Sequence, residues 1–371
     1  METTIIATII YILVLGILAY SGYKKTKSES DFLLAGRKMH PIVMALSYGA
    51  TFISTSAIVG FGGAAGQYGM SLLWLTFLTI FVGVFIAFVG FGKRTRRLGQ
   101  ELGAHTLPEL LSLRFDSKFI QGFIALLIFL FMPIYASAIL KGSADFIAKY
   151  YGISFITALG ILIVLISVYV TFGGLKGIMY ADAFQGGIMF LGMLFILVFT
   201  YSALGGLSQA HIQLTNLFAA PGVGEQSAKL TAIGFKGWTS MPKFDSPLWW
   251  SVISTLVMGV GIGVLAQPQL AVKFMTVKSD RELNRAVLSG GIFLFMMTGT
   301  AFVVGALTNV FFYNDTGNIA ITAAGANDLI IPAYIKEYLP RFFGDMFIII
   351  LLAASLSTLS ALFHTMGTAF G

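Results

Sequence analysis

Hydroxyl-bearing side chains cluster at two places inside otherwise apolar stretches of this sequence. The first cluster holds Ser47, Thr51 and residues 54–56, and the second is Ser355-Leu356-Ser357-Thr358. Hard cations prefer oxygen ligands, and a monovalent cation needs no carboxylate among them. Ser357 and Thr358 are adjacent and Ala354 lies one helical turn earlier, so two hydroxyls and one carbonyl can converge there. The sequence therefore predicts a cation site, the alternative being that each hydroxyl only bonds a carbonyl four residues back.

The composition indicates that these clusters lie inside a membrane. Of the 371 residues, 57% are hydrophobic and only 11% are charged, and the mean hydropathy is +0.87. Soluble domains carry about 25% charged residues, so this chain needs lipid around it. The net charge of +7 is attributed to the loops between spans rather than to nucleic-acid binding. The sequence has no cysteine, and its four histidines are scattered, which argues against a thiolate or histidine metal site.

Nine apolar stretches are long enough to form membrane helices, since about 20 helical residues cross the hydrocarbon core. We predict an all-α membrane protein with a single transmembrane domain over residues 1–371. The predicted helices are 3–22, 41–66, 71–92, 119–147, 154–172, 183–204, 248–269, 286–312 and 343–366. Residues 106–111 and 332–338 are predicted to form short helices outside the spans.

The positions of lysine and arginine predict the orientation. Most of them fall in segments that share one side, namely 23–40, 93–118, 173–182 and 270–285. Because cytoplasmic loops are enriched in these residues, we predict a multi-pass cell-membrane protein with its N-terminus outside. The first apolar stretch lacks the features of a cleaved signal and is predicted to be a retained helix. The chain stops just past a span, at Ala369-Phe370-Gly371, which we interpret as a C-terminal truncation.

Two predicted spans contain residues that weaken a helix. The second has hydroxyls followed by Gly60, Gly62, Gly63 and Gly66, and the seventh contains 259–263 (Gly-Val-Gly-Ile-Gly) followed by Gln-Pro-Gln at 267–269. Small residues also allow helices to pack closely, which is the alternative interpretation. Two Gly- or Pro-interrupted spans in corresponding positions of two halves are typical of a transporter binding site.

Four motifs resemble those of the sodium:solute symporter family, which transports proline, pantothenate, sugars, sialic acid and monocarboxylates. Each is weak alone, and their joint order and spacing is specific. They are Asp31–Arg37, Gly173–Gln185, Gln267-Pro268-Gln269 with Lys273-Phe274-Met275, and Ala353–Thr358.

The resemblance implies an inverted-repeat fold of the leucine-transporter type. This fold has five plus five helices, here with one extra N-terminal helix and the last helices missing. The resemblance also implies a sodium site between the first and eighth core helices. Its ligands would be the carbonyls of Ala50, Ile53 and Ala354 and the hydroxyls of Ser357 and Thr358. Asp182 matches a carboxylate associated with sodium passage, although it could also be an ordinary acid at a helix N-terminus, where the helix dipole favours it.

The sequence departs from the proline-type members of the family at several positions. Phe52 stands in place of an aspartate, Val260 and Val264 stand in place of aromatics, and Gln269 and Lys273 replace histidine and arginine. These departures argue against a proline substrate. The run Thr51–Ser54 resembles the pantothenate and monocarboxylate members, which implies a small organic anion such as a monocarboxylate or pantothenate as the substrate class. The predicted substrate-binding residues are Ser54, Thr55, Ser56, Tyr135, Gly259, Val260 and Gly263.

The resulting prediction is a sodium-coupled symporter that imports a small organic solute, with Na⁺ as coupling ion, no organic cofactor and the lipid bilayer as its surroundings. One alternative is a sensor module of a signalling protein. Another is a proton-coupled symporter, although no Asp, Glu or His relay is evident at mid-membrane. An intramembrane enzyme is not supported, because we find no nucleophile with a base near it and no buried acid/base pair in the pattern.

Overall fold

The structure, a computed structural model, describes residues 2–370, without the side chains of residues 2, 3, 80–82, 257 and 370. The ends of the predicted domain, residues 1 and 371, lie outside the described residues. Helices are the regular secondary structure of the described part, which contains no strand, and this confirms the predicted fold class. Nineteen α-helices follow one another along the chain: α1 Glu2–Lys25, α2 Glu29–Leu34, α3 Pro41–Phe52, α4 Phe61–Tyr68, α5 Leu73–Leu78, α6 Lys93–Glu101, α7 Leu107–Phe115, α8 Lys118–Tyr151, α9 Phe155–Ala203, α10 Leu207–Leu217, α11 Val223–Gln226, α12 Ala228–Ala232, α13 Pro247–Trp250, α14 Gly259–Gly263, α15 Pro268–Phe274, α16 Asp280–Thr316, α17 Ala320–Ala324, α18 Asn327–Tyr338 and α19 Arg341–Phe370.

Six of the described helical stretches are long and apolar enough to cross a membrane. They are Thr4–Lys25, Lys118–Tyr151, Phe155–Ala203, Pro247–Ala266, Asp280–Thr316 and Arg341–Ala369. A seventh candidate consists of Pro41–Phe52 and Ser56–Leu78, which are bent by 61° at the break between them. The predicted span 71–92 is also helical, but it is made of α5 and two π-helical segments, Thr79–Val84 and Ile86–Gly92.

The 49-residue helix α9 covers two of the predicted spans, 154–172 and 183–204. A straight helix of that length would extend about 73 Å, more than twice the hydrocarbon thickness. Gly174 interrupts it with φ 54° and ψ −175°, a conformation that glycine adopts without a Cβ clash. The Tyr169 hydroxyl donates to the Ile178 carbonyl at 3.4 Å, which a straight helix would not allow. The two predicted spans are therefore joined by a sharp bend at Gly174.

The loops assemble into two opposite faces. On one face the Arg37 guanidinium donates to the Ala104 carbonyl at 2.6 Å, and Lys176 pairs with Asp31 at 3.1 Å. On the other face the Trp238 carbonyl accepts from the Met70 amide, and the Tyr313 hydroxyl donates to the Pro221 carbonyl. The first face contains the segments predicted to be cytoplasmic, so the loop contacts agree with the predicted alternation of sides. The absolute orientation stays a prediction.

Both predicted short helices are present. The helix α7 begins after Thr106, whose hydroxyl accepts from the Glu109 amide, while Glu109 accepts from the His105 amide at 2.7 Å. This reciprocal pairing resembles the capping box of helix N-termini. The second short helix, α18, is longer than predicted and covers Asn327–Tyr338.

In the second predicted span, close helix packing and unwinding of the chain occur at different residues, which the sequence alone did not distinguish. Gly62, Gly63 and Gly66 lie in α4, and a Cβ on Gly63 would lie 2.0 Å from the Asn327 carbonyl oxygen. A Cβ on Gly305 would lie equally close, at 2.0 Å, to the Gly62 carbonyl oxygen. These glycines let α4 pack closely against α16 and α18, whereas the chain unwinds earlier, at residues 53 and 54.

Candidate functional site

Neutral oxygens from α3 and α19 converge at the first break. The Ser357 hydroxyl lies 2.8 Å from the Ala50 carbonyl oxygen and 3.3 Å from that of Ala354. The Thr358 hydroxyl lies 3.0 Å from the Thr51 carbonyl oxygen and 3.1 Å from that of Ala354. We call these five groups, from Ala50, Thr51, Ala354, Ser357 and Thr358, the neutral oxygen cluster. All five residues are fully buried.

The end of α3 explains why carbonyl oxygens are available there. Ile53 has extended dihedrals, φ −85° and ψ 95°, and its amide donates back to Gly49. The carbonyls of Ala50 and Thr51 are therefore among the last four of the helix, which have no partner within it. A helix C-terminus also carries partial negative charge, which favours a cation.

The Ile53 carbonyl is also left without an α-helical partner. The Ala57 amide donates to the Ser54 carbonyl at 2.9 Å, one residue later than α-helical pairing with Ile53 would require. The Ile53 carbonyl is thereby separated from the regular helix, but the described hydrogen bonds do not connect it to the neutral oxygen cluster. The structure thus brings together four of the five predicted sodium ligands and adds the Thr51 carbonyl, while the place of Ile53 in the set stays a prediction.

A second cluster lies one turn earlier on α3 and holds a charge pair. Lys273 on α15 and Asp182 on α9 are both fully buried, with 2.9 Å between Nζ and Oδ2. The Ser47 hydroxyl donates to Asp182 at 2.8 Å, and the Thr51 hydroxyl donates to it at 3.2 Å. Asp182 lies well inside α9, eight residues beyond the bend at Gly174. The interpretation of Asp182 as an ordinary acid at a helix N-terminus is therefore wrong.

Thr51 connects the two clusters. Its carbonyl accepts from Thr358, while its hydroxyl contacts Asp182 and lies 3.4 Å from the Ser357 carbonyl. Thr51 therefore belongs to both clusters.

Several predicted substrate residues lie beside the neutral oxygen cluster. The Thr55 hydroxyl is 2.5 Å from that of Ser355, which is 2.6 Å from that of Ser143. Tyr135 on α8 forms a side-chain hydrogen bond with Ser54. Ser54 and Thr55 are buried, and Ser56 is exposed. These contacts form a row of polar groups between the break that follows α3, the helix α8 and the helix α19.

The glycine-rich segment lies elsewhere. Gly261 packs against Leu78 and Thr79, and a Cβ on Gly83 would lie 2.5 Å from the Gly261 carbonyl oxygen. Gly259 and Gly263 are exposed, and Val260 is half-buried. The described contacts thus place this segment against residues 78–83 and do not join it to Ser54, Thr55 and Tyr135.

The second predicted break is also present. Gln267 is extended, with φ −72° and ψ 116°, and Pro268 begins α15. This new helix carries Lys273 into the interior. On the sequence alone, Lys273 is a departure from the family pattern and one of the basic residues of the segment 270–285. A lysine within an apolar membrane segment is itself a signal, because such residues nearly always have a partner and a function.

Comparisons with known proteins agree with this architecture. The model of the sodium:solute symporter family matches residues 32–371. The chain is 27% identical to a sodium/pantothenate symporter of Haemophilus influenzae over 96% of its own length and 69% of that protein. It is 26% identical to a high-affinity proline transporter of Bacillus subtilis, covering 81% of this chain and 59% of the transporter. The chain thus spans between about half and about seven tenths of the curated relatives it matches.

A solved structure shows the same fold. A Na⁺-coupled sialic acid symporter in a substrate-bound outward-open state superposes with a TM-score of 0.76, covering 99% of this chain and 72% of the symporter, at 16% identity. The predicted inverted-repeat fold is therefore confirmed, and the described spans make this a multi-pass membrane protein. The family and these relatives are transporters rather than enzymes. The chain belongs to the sodium:solute symporter family.

Proposed function

We propose that this protein is a sodium-coupled symporter that imports a small organic solute. The observation that carries the proposal is the neutral oxygen cluster, where two hydroxyls and three carbonyls converge between a broken helix and α19. Unwound carbonyls and half-helix C-termini are the groups that coordinate coupling ions in transporters of this architecture. Ala50, Ala354, Ser357 and Thr358 are the proposed ligands, together with the Thr51 and Ile53 carbonyls.

Ion and solute are coupled through the contact between α3 and α19. A Na⁺ ion at the cluster would hold the two helices together through ligands from both. The row formed by Thr55, Ser355 and Ser143 begins on α19 and at Thr55, three residues after the end of α3, so fixing these two elements also fixes the row. Each ligand then raises the affinity for the other by the same factor, as thermodynamic linkage requires.

The proposed substrate is a small organic anion, of the monocarboxylate or pantothenate kind. A relative that covers 96% of this chain is a sodium/pantothenate symporter, and Phe52 stands where proline-type members carry aspartate. Ser54, Thr55 and Tyr135 are the proposed contacts. The other predicted substrate residues are proposed to contact the solute only from outside this row, since the described contacts do not join them to it. They are Ser56, Gly259, Val260 and Gly263.

Asp182 is proposed to lie on the path of the ion from the neutral oxygen cluster toward the cytoplasmic face. Two contacts support this role. Asp182 accepts from Thr51, which is part of the cluster, and it pairs with Lys273 on α15, near the segment 276–280 of the basic face.

The test is solute-stimulated ²²Na⁺ uptake into proteoliposomes that contain the purified protein, with a panel of small organic acids, amino acids and sugars. We expect one class of solute to stimulate uptake, and the Ser357→Ala, Thr358→Val double variant to abolish the stimulation. Thr298→Val is the matched control, because the Thr298 hydroxyl only bonds Leu294 within its own helix. Solute uptake driven by a pH gradient without Na⁺ would indicate proton coupling instead of sodium coupling. The absence of flux with every solute would favour the sensor alternative.

A further inference from the structure

The ammonium group of Lys273 is surrounded by oxygens much as a bound metal ion would be. Nζ lies 2.8 Å from the Ser47 carbonyl oxygen, 2.6 Å from the Ser47 hydroxyl and 2.9 Å from Asp182 Oδ2, and it also contacts the Thr51 hydroxyl. These four oxygens come from α3 and α9, and all three residues that supply them are fully buried. We call this group the lysine cage.

The lysine cage adjoins the neutral oxygen cluster. Thr51 contributes its hydroxyl to the cage and its carbonyl to the cluster. The two positions are therefore separated by a single residue. Two positive charges near each other repel in a low-dielectric interior, and Asp182, which pairs with Lys273, is the carboxylate at this place that compensates.

We propose that Lys273 is a tethered cation that fills a second monovalent-cation site, and that removing its charge opens this site to a second Na⁺. The inference rests on the proposed sodium binding at the neighbouring cluster. A carboxylate, two hydroxyls and a carbonyl form a ligand set that suits a hard monovalent cation. The lysine occupies the site without the entropy loss of binding a free ion, since it is already attached to the chain.

The unpaired half of the carboxylate supports this assignment. Asp182 Oδ1 is buried and has no hydrogen-bond partner among the described residues, while Oδ2 receives Lys273, Ser47 and Thr51. A buried carboxylate oxygen left in this state is costly. It is available to a cation that enters when the ammonium is absent.

The same geometry has a consequence for stability. Removing only the lysine charge leaves Asp182 buried and uncompensated, which is among the most destabilising changes a protein interior can undergo. A ligand that binds only the folded state restores stability in proportion to its concentration. The folded state of a Lys273→Met variant should therefore depend on Na⁺ much more strongly than that of the wild type.

The experiment measures equilibrium ²²Na⁺ binding and thermal unfolding of the purified protein in NaCl and in choline chloride. Lys273→Met keeps an unbranched apolar side chain that ends one atom short of the Nζ position, and it removes the charge. We expect this variant to bind about twice as much Na⁺ at saturation as the wild type, and to unfold at a lower temperature in choline than in NaCl. Lys273→Arg keeps the charge and should bind the wild-type amount.

The double variant Lys273→Met, Asp182→Asn separates the possible outcomes. It lacks the carboxylate, so it should fold in both salts and bind no more Na⁺ than the wild type. A Lys273→Met protein that binds the wild-type amount of Na⁺ would overturn the proposal. A single variant that unfolds equally in both salts, while the double variant folds, would also overturn it and leave a purely structural ion pair. Absence of Na⁺ binding by the wild type would instead contradict the proposed function.

Discussion

The last two turns of α3 supply two oxygen clusters that differ in charge. The neutral oxygen cluster consists of carbonyls and hydroxyls alone, whereas the lysine cage contains a carboxylate and its paired ammonium. Neutral oxygens can release a monovalent ion readily, while a covalently attached ammonium does not leave. Under the proposed function, the neutral oxygen cluster would exchange its cation during transport, whereas the lysine cage holds a permanent one.

The largest expected effect concerns the charged cluster. Asp182→Asn leaves the Lys273 ammonium buried without a counter-charge, and we expect a loss of about 3–5 kcal/mol in the free energy of unfolding. Denaturant unfolding of the detergent-solubilised protein measures it. The control is Asp31→Asn, which removes one partner of a half-buried pair. A loss no larger than that of the control would contradict the expected cost of an uncompensated charge in the lysine cage.

The second prediction concerns the neutral cluster. Ser357→Ala removes one oxygen that lies within 3.3 Å of two carbonyl oxygens. Interactions of a hydroxyl with a charged group contribute about 1.5–3 kcal/mol, so the half-saturating Na⁺ concentration should rise about 10- to 150-fold. Solute uptake measured against Na⁺ concentration gives this value, with Thr298→Val as control. An unchanged half-saturation would remove Ser357 from the ligand set.

The third prediction tests whether Thr55 belongs to the solute site or to the ion site. Thr55→Val leaves the Ser355 hydroxyl without one of its partners, and we expect the KM for the solute to rise by about 5-fold, for one neutral hydrogen bond. The half-saturating Na⁺ concentration should change less than the KM. An effect confined to Na⁺ would place Thr55 in the ion site instead.

The smallest expected effect lies on the basic face. Lys176 and the amide of Lys27 hold the pKa of Asp31 below its ordinary value. The folded-state pKa is depressed, so the contribution of Asp31 to stability is present above its unfolded pKa and is lost as the pH falls through the folded pKa. Asp31→Asn should lower the free energy of unfolding by less than about 1 kcal/mol at pH 7 and flatten the acid limb of the stability profile. An unchanged acid limb would exclude this pair as a contributor.

The helix breaks could be predicted because they depend on local residue types. Gly, Pro and hydroxyl residues marked both broken spans, and Gln267 and Ile53 are extended in the structure. The convergence of Ser357, Thr358 and Ala354 also followed from helical spacing. The unwinding point could not be separated from the packing glycines of α4, because that distinction depends on which neighbour approaches each glycine.

The contact between the lysine and the aspartate of the cage could not be predicted. Asp182 and Lys273 are 91 residues apart, and only the bend at Gly174 and the break at Gln267 bring them together. Similarly, residues 259–263 could not be separated from the row around Thr55 on the sequence alone, because periodicity reports which face a residue occupies and not what covers that face.

The central claim is that the neutral oxygen cluster binds Na⁺, and equilibrium ²²Na⁺ binding to the purified protein without solute tests it most directly. The wild type and Thr298→Val should bind Na⁺ saturably and with equal affinity. The Ser357→Ala, Thr358→Val double variant, shown to be folded, should lose this binding over the same concentration range. Undiminished Na⁺ binding by the folded double variant would contradict the claim.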